Sequence, residues 1–351
     1  MNAENKIREE ISNSGYITID RFMDIALYDK EYGYYIHKNP IGKDSDFITA
    51  PEITSLFGES ISLFFIEKIR KNLSNYQKIN LIELGAGKGT LALDILNTFK
   101  QFADIYQKIG YIILDCNTKL VEIQKEKLKN HIDKVNWINN LDEIDSVSPV
   151  IFLANEFFDC LPIRQFFKQK NEFFERIIVE NDRNLTFSSK KAENLPEIIA
   201  NFAEDYEENE IIEYSDDSIS YINQISNIIK RQKGCGLIID YGYTSFSYGD
   251  SLQSLSNHKY KDIFDKIGES DLTVHVNFRM LYYYALQSGL ENLAINNQAD
   301  FLKQMGIEIR AKKYSSKLDE KQKKDLFMSL NRLLSLSEMG ELFKCFIIEK
   351  Y

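Results

Sequence analysis

The sequence predicts an α/β protein: a largely parallel sheet with helices on both faces, a helical section ahead of it (1–78), and an inserted β-hairpin region. Three observations carry this. Short apolar runs alternate with amphipathic stretches from residue 80 to 155. The first run, NLIELG, leads into a glycine-rich turn, GAGKG (85–89), that opens a helix. The regularity then fails between 163 and 232, where two-residue turn signals take over.

The elements follow in order. Residues 1–31 read as two helices, with Asp20 placed to cap the second and Phe22, Ile25, Ala26 and Leu27 on its apolar face. YGYYIHKNPIGKDSDF (32–47) reads as a loop, and 51–73 as one amphipathic helix with Pro51 in its first turn. Strands are expected at 80–85, 111–116, 135–139, 150–155 and 236–242, with helices at 90–102 and 118–130 between the first three. Residues 163–189 suggest antiparallel hairpins turning at Lys-Asn and Asn-Asp, and 195–232 a helical return to the sheet. A polar loop, 243–260, is long enough to act as a lid, and FKCFIIEK (343–350) is a last strand. The expected division is 1–78 for the helical section and 79–351 for the sheet domain, with 163–232 inserted.

Composition narrows the class. The chain has 351 residues, 43 Lys and Arg against 53 Asp and Glu, and a formal net charge of −10. Such a field does not draw in nucleic acid or an anionic membrane. Cys116, Cys160, Cys235 and Cys345 lack zinc-like spacing, so no metal is expected and free thiols are. The start, MNAENKIREEI, lacks the apolar region of a signal peptide and is too acidic for a transit segment. No run is long and apolar enough to span a membrane. The expected compartment is the bacterial cytoplasm, or the mitochondrial matrix if a transit segment has been removed.

The glycines identify a ligand class by elimination. A phosphate-binding P-loop needs GxxxxGK[ST], yet Lys88 is followed by Gly89, and Ile82 stands where the first glycine belongs. A dinucleotide fingerprint needs GxGxxG, and Thr90 stands at its third glycine. What remains is Glu83 followed by Gly85-x-Gly87-x-Gly89, which resembles the first motif of S-adenosylmethionine-dependent methyltransferases. That ligand carries an ammonium, a carboxylate and a ribose but no pyrophosphate. Glycine N–H groups meet the carboxylate, Glu83 the ammonium, and Asp115 at the second strand's end the ribose hydroxyls. Leu141 and Asp142 are expected beside the adenine, and Asn155 beside the sulfonium.

Further motifs sharpen the resemblance. DFITAPE (46–52), FGE (57–59), NEFFDCLP (155–162), DYG (240–242), DLTVHVNF (271–278), QADFLKQMGIEIR (298–310) and MGELFK (339–344) occur in one order with the glycine motif. Together they resemble the MidA-like methyltransferases, whose mitochondrial members assist assembly of respiratory complex I. The resemblance implies the class I methyltransferase (Rossmann-like) fold. It also implies methyl transfer to an arginine of a protein partner, the 49-kDa-type subunit of complex I.

An arginine site must hold a planar cation against carboxylates. Glu156, Asp159 and, from the TAPE segment, Glu52 are the candidate catalytic residues. Thr49 and Pro51 join the expected cofactor contacts. Plainer roles stand beside these. Glu156 and Asp159 have the position of helix caps, Thr49 and Glu52 the spacing of a capping box, and Asp240 that of a turn cap. Phe157 and Phe158 are expected in the core, as are the cysteines. His258 and His275 are not expected to act in catalysis, and KLDEKQKKD (317–325) reads as a solvated helix face. Two other functions fit the same sequence: an assembly chaperone that binds the cofactor without essential catalysis, and a small-molecule or RNA methyltransferase of the same fold.

Overall fold

The apolar runs of the first half form strands because each can be covered on both faces. All six residues of the strand Ile79–Leu84 (β1) are buried, as expected for a parallel strand between helical layers. The computed structural model describes residues 2–37, 49–256 and 259–351. His258 and the part of the expected loop at 38–48, with Asp46, Phe47 and Ile48, lie outside the described residues.

The central sheet continues with Ile109–Leu114 (β2), Val135–Ile138 (β3), Val150–Asn155 (β4), Gly234–Tyr243 (β5), Asn292–Asn297 (β6) and Phe343–Lys350 (β7). Its order is 3-2-1-4-5-7-6, with β7 antiparallel to both neighbours, and a two-residue strand, Val276–Asn277, runs parallel to the end of β5. β1 lies between β2 and β4. The chain therefore changes winding direction there, and a crevice opens at the carboxyl ends of those strands. On one face, helices Ser55–Asn72 and Thr90–Phe99 bury Phe57, Phe65, Ile95 and Phe99. On the other, helices Asp216–Gln232 and Phe278–Gln287 bury Ile222, Ile229 and Phe278.

Local chemistry moved several boundaries. The expected helix over 51–73 is two, Ala50–Ile53 and Ser55–Asn72. Thr54 breaks it with an extended backbone, φ −162°, and its hydroxyl accepts the Leu56 N–H at 3.3 Å. Asp20 sits inside the first turn of the helix Ile19–Tyr28 and does not cap it. The cap position falls to Thr18, because Ile17 and Thr18 are drawn into pairing with Ile178 and Ile177. Tyr34–His37, expected as loop, forms one helical turn.

The inserted strands are Arg164–Gln169, Glu172–Asn181 and Asn184–Lys191. Lys170 and Asn171 turn with φ of 52° and 61°, the left-handed pair a tight hairpin requires. The second turn is Asp182–Arg183 (φ 47° and 67°), one residue later than expected, because Asn181 pairs with Asn184. The stretch 195–232 is not continuously helical: Ile212–Tyr214 is a strand on Arg164–Phe166. The segment 243–260 is not an open loop throughout. Gln253–Ser256 pairs with Lys259–Lys261 and with Asp271–Thr273.

The N-terminal helices Ala3–Ser14 and Ile19–Tyr28 pack with Ile163, Ile178, Leu185, Leu272 and Val274 rather than on the central sheet. Each such side chain contributes about 1.5–3 kcal/mol of burial. This docking carries Tyr28 to the crevice. Among the described residues no helix is long and apolar enough to cross a membrane.

Candidate active site

Two connected spaces open at the carboxyl ends of β1, β2 and β4. The larger holds about 380 Å³. The smaller, about 50 Å³, lies between the glycine turn and the segment Thr49–Glu52. Thr49, Gly85, Gly87 and Glu156 line both.

The glycine turn is built by backbone that side chains tolerate poorly. Gly85 has φ 65°, and a Cβ there would lie 2.8 Å from the Phe157 ring. Gly89, φ 76°, stands at the start of the helix Thr90–Phe99. Gln124, fully buried, ties the turn to β2: its amide donates to the Gly87 carbonyl (2.8 Å) and to Asp115 (2.7 Å). Asp115 also accepts the Asn117 N–H at 2.9 Å, and burial raises its pKa. Glu83 is buried and accepts the Tyr111 hydroxyl at 2.7 Å. Burial, against that hydrogen bond, pushes its carboxyl up to about 7. Beside it in the smaller space lies Asn155, whose buried Oδ1 has no hydrogen-bond partner. A carboxylate and an orphaned carbonyl oxygen in one small space are acceptors suited to an ammonium.

Leu141 and Asp142 do not line either space. Leu141 is in the core beneath β3, and Asp142 is exposed. Asn140 and Glu143 form a capping box over a short 3-10 turn, which draws the chain away. Asn139 lines the larger space instead.

Glu156 follows Asn155 with φ 51°, its N–H bound to the Ile239 carbonyl at 2.9 Å. Its Oε1 accepts the Ala50 N–H and the Asn155 amide, both at 3.1 Å. Burial and the nearby Asp159 push its carboxyl up to about 7. Asp159, 7% exposed, is likewise raised by burial. Neither caps a helix, because 157–162 is a turn. The turn is held by Asp240, which accepts the N–H groups of Phe158 (3.0 Å), Asp159 (3.2 Å) and Tyr241 (2.9 Å). Asp240 is fully buried and spent on this task.

Glu52 is set apart from this wall. It lines only the smaller space and accepts the Thr90 hydroxyl at 2.5 Å, while Thr90 accepts Lys127 at 2.5 Å. The Thr49–Glu52 capping box does not form, since the Thr49 side chain makes no capping bond. Pro51 is buried against the smaller space.

Sequence reasoning missed much of the larger space. Tyr28 and Tyr35 stack at 5.6 Å and 22°. Tyr28 donates to the Cys160 carbonyl (3.0 Å), and Tyr35 to Asp271 (2.8 Å). Thr273, Asp24, Asp217 and Tyr221 complete the wall. Phe158 is core, but Phe157 lines the space with Tyr221 edge-on at 5.0 Å. Cys116 and Cys160 also line it, so only Cys235 and Cys345 are the buried thiols expected. A signal existed in DLTVHVNF: alternate residues Asp271 and Thr273 share one face of a strand. Six carboxylates, Asp24, Asp115, Glu156, Asp159, Asp217 and Asp271, line the larger space, and among the described residues no Lys, Arg or His does. Such a space selects cations, and its raised carboxyls can accept a proton near neutrality.

A family model described as S-adenosyl-L-methionine-dependent methyltransferase matches residues 60–296. The mitochondrial protein arginine methyltransferase NDUFAF7 of Mus musculus is 31% identical, over 97% of this chain and 82% of that one. Its Homo sapiens counterpart is 30% identical, over 97% and 81%. A solved structure of a Burkholderia thailandensis protein bound to S-adenosyl-homocysteine superposes with a TM-score of 0.86 at 25% identity, covering 99% of this chain and 92% of that one. The chain belongs to the S-adenosyl-L-methionine-dependent methyltransferase family.

Proposed function

We propose that this methyltransferase modifies a guanidinium nitrogen of an arginine in a protein substrate, a complex I subunit of the 49-kDa type, and thereby supports assembly of that complex. The observation that carries the reading is the larger space: six carboxylates, stacked tyrosines and, among the described residues, no lining cation. The relatives named as protein arginine methyltransferases support it.

The residues present fit S-adenosylmethionine. Glu83 and the orphaned Asn155 Oδ1 would take the ammonium, the Gly85–Gly87 backbone the carboxylate, and Asp115 the ribose hydroxyls. Asn139 replaces Leu141 and Asp142 as the residue proposed near the base. Thr49 and Pro51 would close the smaller space from the N-terminal side. When bound, the cofactor supplies a methyl group on a positively charged sulfur.

The acceptor's needs are met by the chain itself. A guanidinium is charged at neutral pH and a poor nucleophile, so orientation supplies most of the acceleration. Glu156 and Asp159 hold the cation on one side, and the Tyr28–Tyr35 pair offers flat faces on the other. The attacking nitrogen gives up one proton as it gains the methyl carbon, and Glu156, with its carboxyl near 7, would receive it. Glu52 acts as a positioning residue through Thr90.

The test incubates the purified chain and S-adenosylmethionine with the recombinant 49-kDa-type subunit and maps the product by mass spectrometry. A methyl group on an arginine is the expected result. Methylation of a lysine or of a small molecule only, or none with cofactor bound, would overturn the reading.

A further inference from the structure

The run KLDEKQKKD plays no part in the cavity, yet its surroundings are unusual. Six of the twelve exposed large apolar side chains among the described residues fall between 309 and 342. Ile309 is 77% exposed, Phe327 70% and Met328 58%. Side chains this exposed stand out from their helices.

The helices Ile307–Ser315 and Glu320–Leu334 are consecutive and bury Ile307, Ala311 and Leu333 in one core cluster, with Leu326, Leu330 and Leu334 packed against it. Their outward faces are therefore neighbours. Helical periodicity puts Ile309 with Lys312 and Lys313 on one stripe, and Lys321 and Lys324 with Phe327 and Met328 on the other. Among the described residues none of these four lysines has a carboxylate partner. Between 308 and 325 there are seven Lys or Arg against four Asp or Glu, in a chain whose formal net charge is −10. The acidic whole conceals a basic, apolar side.

We infer that the outward faces of these two helices dock on an anionic lipid surface, with Ile309, Phe327 and Met328 entering the headgroup boundary and the lysines meeting lipid phosphates. A lipid interface matches all three features. It yields to protruding side chains where a rigid protein partner would need matching pockets, it takes up apolar groups, and it rewards each lysine near it. No spanning helix is required. The inference rests on the surface alone and does not depend on the acceptor being arginine.

The test is co-sedimentation of the full chain with vesicles of phosphatidylcholine, with and without phosphatidylglycerol. Binding only to the phosphatidylglycerol vesicles, weakened by salt, is expected. Lys321→Gln with Lys324→Gln should weaken it about tenfold or more, and Phe327→Ser with Met328→Ser should also weaken it severalfold. Both pairs are exposed, so S-adenosylhomocysteine binding, measured in parallel, should be unchanged. Absence of vesicle binding overturns the inference and leaves the patch to a protein partner. Binding that ignores lipid charge, or that survives either double substitution, overturns it as well.

Discussion

The Tyr35 hydroxyl donates to Asp271 Oδ1 at 2.8 Å across 236 residues of sequence. The bond joins the N-terminal section to the strand Asp271–Thr273, and both side chains face the larger space. Tyr35 also accepts the Asn117 amide through its carbonyl, which links it to the turn after β2 that bears Asp115. Tyr35→Phe keeps the ring and its stacking on Tyr28 but removes one donor from a buried carboxylate. The expected outcome is a KM for the protein substrate raised roughly five- to thirtyfold, from about 1–2 kcal/mol, with S-adenosylhomocysteine affinity unchanged. An equal fall in cofactor affinity would mean that Tyr35 serves the other half of the site.

Glu156 gives a pH signature. Burial and Asp159 put its carboxyl at about 7, so the ionised form that accepts a proton is a minority below that pH. In the wild type kcat/KM should rise through about pH 7 and level off above it. Glu156→Gln should lower kcat by about 100-fold or more and abolish that limb, while calorimetry shows cofactor binding retained. If complex I still assembles in cells carrying this variant, the chain works there as a binding partner and its catalysis is dispensable.

The parts of this fold that depend on nearest neighbours were legible in the sequence. β1 reads as a strand because every residue from Ile79 to Leu84 is buried. The Lys170–Asn171 turn reads as a hairpin because Asn171 tolerates left-handed backbone between two apolar runs. Glu83, Asp115, Asn155 and Glu156 line the two spaces because a parallel sheet presents its strand ends to the crevice. Contacts between distant segments left no periodic trace. Nothing near Tyr35 points to Asp271, and nothing near Glu52 points to its partner Thr90, which lies 38 residues away. Leu141 and Asp142 stay off the lining of both spaces for a local reason: the Asn140–Glu143 capping box competes with an extended path along the cavity.

Gly85 tests the smaller space. Its φ of 65° penalises any side chain, and a Cβ would meet the Phe157 ring at 2.8 Å. Gly85→Ala should therefore cost about 1–2 kcal/mol in backbone strain and push Phe157 into the larger space. S-adenosylhomocysteine affinity should fall at least about tenfold by calorimetry, with the circular dichroism spectrum unchanged. Unchanged affinity would place the cofactor elsewhere than against this turn.

Glu213 offers a stability prediction outside the cavity. It is 3% exposed and accepts the Ser251 N–H (3.0 Å) and the Gln165 amide (2.8 Å), together with the Ser251 hydroxyl. Ser251 in turn accepts the His275 N–H at 2.8 Å, so this carboxyl clasps the inserted strands to the segment that leads from Asp271. Burial raises it from 4.5 to about 7. A raised folded-state pKa means that the neutral form suits the fold. Its stabilising contribution is complete below 4.5 and is lost as pH rises through about 7. At one pKa unit per 1.36 kcal/mol the loss is on the order of 3 kcal/mol. Glu213→Gln cannot ionise, so it should lose less stability than the wild type between pH 4.5 and 7. Urea unfolding of both proteins across that range measures the difference. Parallel curves would show that Glu213 keeps the same charge state in the folded and unfolded chains.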